Sequence, residues 1–99
     1  MIRSFADTAT EDLFNGRSTK AARKALPMTL WRVARRKLDA LDQAEELDDL
    51  RVPPGNHLEA LKKDRKGQHS IRINDQYRFC FRWTDTGPEE VEVVDYHRG

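Results

Sequence analysis

Tyr77-Arg78-Phe79-Cys80-Phe81-Arg82-Trp83 is the stretch that decides the fold. Its aromatics alternate with Arg78, Cys80 and Arg82, the period of two expected of a strand with one buried face. The aromatic set must enter a core, so Arg78 and Arg82 point to the opposite side. Strand signals continue on both flanks. Upstream, Ile71 and Ile73 alternate with Ser70 and Arg72 over 69–73, and Asn74-Asp75 suits a tight turn. Downstream, 84–88 reads as a turn and 89–94 as a last, buried strand. Before them, His57, Glu59 and Leu61 alternate with Leu58, Ala60 and Lys62, and Lys63-Asp64-Arg65-Lys66-Gly67 is a charged turn. Residues 57–94 therefore read as an antiparallel meander of three or four strands.

The N-terminal half has a helical period instead. Leu30, Val33, Ala34, Lys37, Leu38 and Leu41 follow i, i+3, i+4, i+7 spacing, which predicts a helix over 27–42 with Pro27 in its first turn. Asp7 or Thr8 can cap an earlier short helix that packs Leu13 and Phe14 inward and stops at Asn15-Gly16. Residues 17–25 are basic and Ala-rich and read as a linker or a helical turn. Residues 44–50 can add a turn, and Val52-Pro53-Pro54-Gly55-Asn56 breaks regular structure before the sheet. Met1 to Phe5 reads as a short strand or an extended lead-in. The fold expected is α+β: two N-terminal helices packed on one face of a small, mainly antiparallel sheet, in a single domain over 1–99.

Composition limits the alternatives. Apolar residues make up 37% of the 99 and charged residues 35%, a lean core under an ionised surface. No apolar run approaches the ~20 residues of a membrane span, and the first residues lack a signal-peptide core. With one cysteine, Cys80, no internal disulfide can form. A cytoplasmic protein is expected. The net charge of +1 conceals segregation. From Arg17 to Lys37 there are eight Lys/Arg and no acid, whereas from Asp39 to Leu50 there are six acids and no Lys/Arg. From His57 to Arg82 seven basic residues face three acids, and from Trp83 to His97 there are five acids and no Lys/Arg. Such blocks create local fields or neutralise one another on folding.

The chemistry gathers at the end of the last strand, at Asp95-Tyr96-His97. A histidine's ordinary pKa of ~6.5 suits proton transfer at neutral pH. Arginines bind phosphate oxygens bidentately, and an aromatic beside them can stack a nucleobase. The alternative reading is a solvated sheet face with cross-strand ion pairs. Three dispersed histidines and one strand cysteine match no zinc-ligand spacing, so no metal and no cofactor are expected. The dispersed glycines form no phosphate loop.

The segments Pro54-Gly55-Asn56-His57-Leu58-Glu59-Ala60-Leu61-Lys62, Asp64-Arg65-Lys66-Gly67, Ser70-Ile71-Arg72-Ile73-Asn74-Asp75-Gln76-Tyr77-Arg78 and Val93-Val94-Asp95-Tyr96-His97 resemble the HigB (plasmid maintenance killer) branch of the RelE/ParE toxin superfamily. Met1-Ile2-Arg3-Ser4-Phe5 is similar to that branch's opening strand. The resemblance covers nearly the whole chain and is weakest around 15–30. It implies a RelE-like microbial RNase fold and the toxin of a type II toxin–antitoxin pair. Such a toxin cuts mRNA in the A site of the 70S ribosome without a metal, leaving a 2′,3′-cyclic phosphate and a 5′-hydroxyl. A HigA-like helix-turn-helix antitoxin is the implied partner, and operator DNA is met only through the antitoxin complex.

The resemblance assigns roles residue by residue. Lys62 and Arg78 would stabilise the phosphorane, Asp95 and His97 would move protons, and Tyr96 would orient or stack the substrate. Glu59 stands where some relatives carry a histidine. Glu59 and His57 are then alternatives for the base, or neither acts. Lys63 stands where a glycine is common. Arg32, Arg35 and Arg36 on the basic helix, Lys63, Arg65 and Lys66 in the turn, and Arg72 and Arg82 on the strands are expected to contact RNA. Two other functions compete: a ParE-like inhibitor of DNA gyrase on the same fold, and a plain RNA- or protein-binding module built on the 17–37 basic segment.

Overall fold

The computed structural model describes residues 1–96. In chain order the elements are α1 (Thr8–Asn15), α2 (Lys20–Ala25), α3 (Trp31–Gln43), β1 (Glu59–Ala60), β2 (His69–Arg72), β3 (Tyr77–Thr84) and β4 (Gly87–Asp95). Short 3₁₀ turns at Met28–Leu30, Leu47–Arg51, Pro54–Asn56 and Lys63–Arg65 join them. The strands form one antiparallel sheet in the order β1-β2-β3-β4. The α+β meander expected from the sequence is the observed fold.

The helices begin where the caps dictate. Asp7 accepts a hydrogen bond from the Thr10 N–H at 2.8 Å, and Gly16 ends α1 in the left-handed conformation at φ 74°. The 17–25 segment is a helix rather than a linker. Thr19 Oγ1 accepts from the Ala22 N–H at 3.1 Å and donates to Asp12 Oδ2 at 2.8 Å. That side chain both starts α2 and ties it to α1, while Ala22 and Leu26 are fully buried. The long helix keeps its apolar stripe, with Ala34, Leu38 and Leu41 at zero exposure.

The helices cover one face of the sheet. Leu13, Leu38, Leu41 and Leu50 pack in one cluster with Ile71, Phe79, Phe81, Val91 and Val93. Each such large side chain contributes about 1.5–3 kcal/mol by leaving water. Thr10 Oγ1 accepts from the buried Val93 N–H at 3.0 Å and so joins α1 to β4 directly.

Three local details refine the sequence reading. The alternation in β3 holds, with Tyr77, Phe79, Phe81 and Trp83 all packed on the core side, and the irregularity lies on β4, where the register shifts between Cys80 and Arg82. Phe81 then faces two residues of β4, and Glu90 there takes φ 54°. The segment at 57–62 forms only the two-residue β1, since His57 turns left-handed at φ 46°. Of the two readings of the N-terminus, the structure shows the extended lead-in. Residues 3–6 run parallel to β4 through one bridge, Phe5 with Val91, and through N–H bonds from Arg3 to Pro88 O and Ala6 to Val91 O.

Candidate active site

Directly opposed residues in a sheet share a face. Arg72 lies opposite Arg78, and Ser70 opposite both Glu59 and Cys80, so all five lie on the face away from the helices. Cys80 opposes Glu92 and Arg78 opposes Val94, which adds the alternate residues of β4 up to Tyr96. This second face holds an open groove of about 690 Å³, lined by His57, Leu58, Glu59, Arg72, Asn74, Asp75, Arg78 and Tyr96.

Arg78 is the centre of the groove. One terminal nitrogen donates to Glu59 Oε1 at 2.7 Å and the other to the His57 carbonyl at 2.7 Å. The Arg78 side chain is 14% exposed and that of Glu59 57%, so the carboxylate forms the wet rim of the pair. Arg78 Nε and Ser70 Oγ are buried and have no partner among the described residues. The Arg78 guanidinium carbon also lies 5.7 Å from the centre of the Tyr96 ring, in cation–π range. Arg72 forms an ion pair with Asp75 across the hairpin turn, and Asn74 Oδ1 shapes that turn by accepting from the Gln76 and Tyr77 N–H groups.

Tyr96 reaches back toward β3. Its hydroxyl is 3.8 Å from Cys80 Sγ, and Arg65 donates to Glu92 at 3.1 Å nearby. Burial raises the Tyr96 phenol above its ordinary pKa, and the Cys80 thiol adds to the rise. The Cys80 thiol is itself pushed up, again chiefly by burial. Both groups therefore carry their protons at neutral pH.

The other expected site residues are spread more widely. Asp95 opposes Tyr77, so it leaves the strand on the side opposite to Arg78 and Tyr96, where it accepts from Gln76 Nε2 at 3.2 Å. Lys62 is exposed just before the Lys63–Arg65 turn and does not line the groove. Lys63 and Lys66 are exposed beside it, while Arg65 is half-buried against Gln68 and Glu92. Arg82 pairs with Glu90 at 3.4 Å. Arg32, Arg35 and Arg36 are exposed on α3, on the helix side of the sheet. His97 lies outside the described residues. Among the described residues no group of three or more His, Cys, Asp or Glu is placed to hold a metal ion. Sequence reasoning missed Leu58, Asn74 and Asp75 as groove lining. The turn signal at Asn74-Asp75, next to Arg72, was the available clue.

Comparison with known proteins agrees with this architecture. A family model described as a HigB-like toxin, the RelE-like toxin of the type II toxin–antitoxin system HigB, matches residues 3–97. Toxin HigB-1 of Vibrio cholerae is 45% identical over 62 residues, covering 63% of this chain and 65% of that protein. An uncharacterized protein of Haemophilus influenzae is 43% identical over 58 residues, covering 59% of this chain and 57% of that one. The chain thus aligns with somewhat less than two thirds of either relative. In fold it is similar to a chain of the YoeB-YefM complex from Staphylococcus aureus, with a TM-score of 0.60, 14% identity and 99% of each chain covered. The chain belongs to the HigB-like family of RelE-like toxins.

Proposed function

We propose that the protein is the toxin of a type II toxin–antitoxin pair and an endoribonuclease that cuts mRNA on the translating ribosome. The observation that carries this reading is the Arg78–Glu59 pair in the groove, with the Tyr96 ring beside it. Strand cleavage by the RNA's own 2′-OH needs a base, a cation for the developing phosphorane, and an acid for the leaving oxygen. Arg78 supplies a permanent, planar cation with two nitrogens in donor geometry. Glu59 lies 2.7 Å from it, so a phosphate drawn to Arg78 sits beside a proton acceptor. As O2′ bonds to phosphorus, its proton passes to Glu59, and the P–O5′ bond breaks. The leaving O5′ takes a proton from the segment after Tyr96, where His97 is the candidate. Tyr96 presents an aromatic surface to a base, and Lys62, exposed outside the groove, is available to the flanking backbone.

The similar fold occurs in the YoeB-YefM complex, which supports a protein partner for this chain. A HigA-like helix-turn-helix protein is the partner we expect. The exposed cations of α2 and α3 face away from the groove and suit ribosomal RNA, leaving the groove for mRNA.

Purified protein is expected to cut mRNA in a translating extract, mapped by primer extension, and to leave naked RNA largely intact. Translation arrest without cleavage, or inhibition of gyrase supercoiling with translation untouched, would overturn the assignment.

A further inference from the structure

Cys80 is the chain's sole cysteine and is fully buried, yet its side chain is on the groove face rather than in the main core. Its strand partner on β4 is Glu92, four positions before Tyr96. The Tyr96 hydroxyl can meet Cys80 only if the ring runs back along the sheet instead of standing out into solvent. In that pose the ring crosses the row where Arg78 opposes Val94, which brings it under the guanidinium. The position at 80 must therefore be small, and it must tolerate a hydroxyl.

We propose that Cys80 is a positioning residue that seats the Tyr96 phenol, so that the flattened ring forms the groove's stacking wall beside Arg78. This rests on the RNA-cleaving reading of the groove. The raised pKa of both groups fits, because a protonated phenol and thiol can each donate to the other. Arg65, held by hydrogen bonds to Gln68 and Glu92, is a cationic neighbour of both the thiol and the phenol. Tyr96 then acts through its ring, with its hydroxyl turned toward Cys80.

The test pairs thiol chemistry with kinetics. Alkylation of Cys80 by iodoacetamide is expected to be slow in the native protein and to rise about tenfold or more in Tyr96→Ala, with Tyr96→Phe between them. An oligonucleotide carrying 2′-deoxyribose at the scissile position should slow alkylation further by pressing the ring down. In ribosome-dependent cleavage, Cys80→Ala should raise KM about tenfold while kcat falls less, a misplacement effect, and Cys80→Ser should restore most of it. If Tyr96→Ala leaves the thiol as protected as before, the proposal fails whatever the fold of the Cys80 variants. Wild-type KM in both Cys80→Ala and Cys80→Ser would also overturn it. Should the native protein cleave nothing while Tyr96 still guards the thiol, the nuclease reading fails and the seating contact stands.

Discussion

Arg78 and Glu59 form the pair on which the proposed chemistry turns, and their roles separate in experiment. Arg78→Ala removes the phosphate's cation and should lower cleavage by about 100-fold or more. Arg78→Lys keeps charge without the fork and should recover only part of that loss. Glu59→Gln should lower cleavage as well, yet tighten binding of an uncleavable oligonucleotide, because Arg78 no longer has a competing carboxylate at 2.7 Å. Fluorescence anisotropy measures this; weaker binding in Glu59→Gln would refute competition between carboxylate and phosphate. Arg78 was legible in the sequence because the aromatic alternation forces it outward. The position of Asp95 was legible only in part. Consecutive strand residues point to opposite faces, so Asp95 and Tyr96 cannot share one. Which of the two faces the groove depends on the β3–β4 register, with Tyr77 opposite Asp95.

The elements are held at junctions that single substitutions can probe. Thr10→Val keeps the shape of the side chain but leaves the buried Val93 N–H without its acceptor. A loss of about 1–3 kcal/mol is expected from urea titration. Thr19→Ala removes both the α2 cap and the bond to Asp12, and should cost about 1–2 kcal/mol. At Gly87, φ is 130° and a Cβ would lie 2.2 Å from the Met1 carbonyl oxygen. Gly87→Ala should therefore loosen the N-terminal segment from β4, seen as faster amide exchange at Arg3 and Ala6. Helix α3 was legible from its stripe, since Ala34, Leu38 and Leu41 repeat at helical spacing. Helix α2 was not, because six residues rich in Lys, Arg and Ala carry little periodicity. Its existence depends on Thr19 and on burial of Ala22 and Leu26 against α1, contacts that form only in the folded chain.

Across the whole molecule, the sheet separates the groove on one side from the basic helices on the other. Reversing charge at Arg32 and Arg36 should weaken ribosome association and flatten its salt dependence, while the stability of the fold stays within about 0.5 kcal/mol of wild type. Sedimentation with ribosomes at graded salt reads this. His69 links the fold to pH. Burial first, and the Arg51 charge second, hold its pKa below the ordinary value. The neutral imidazole is thus the one the fold prefers. Stability should be fully present above the unfolded pKa of ~6.5, fall as pH drops below it, and level off beneath the folded pKa. Melting curves between neutral and mildly acid pH should show a smaller decline in His69→Gln than in wild type. Periodicity and motif spacing are local properties of the chain, so the α+β order, the core face of β3, the outward arginines and the family could be read from residue order. Residue order did not reveal that Glu59 meets Arg78, that Lys62 stands outside the groove or that Tyr96 folds back onto Cys80. Those contacts join residues 16 to 19 positions apart, and their geometry is set by strand register and by one shift in the ladder.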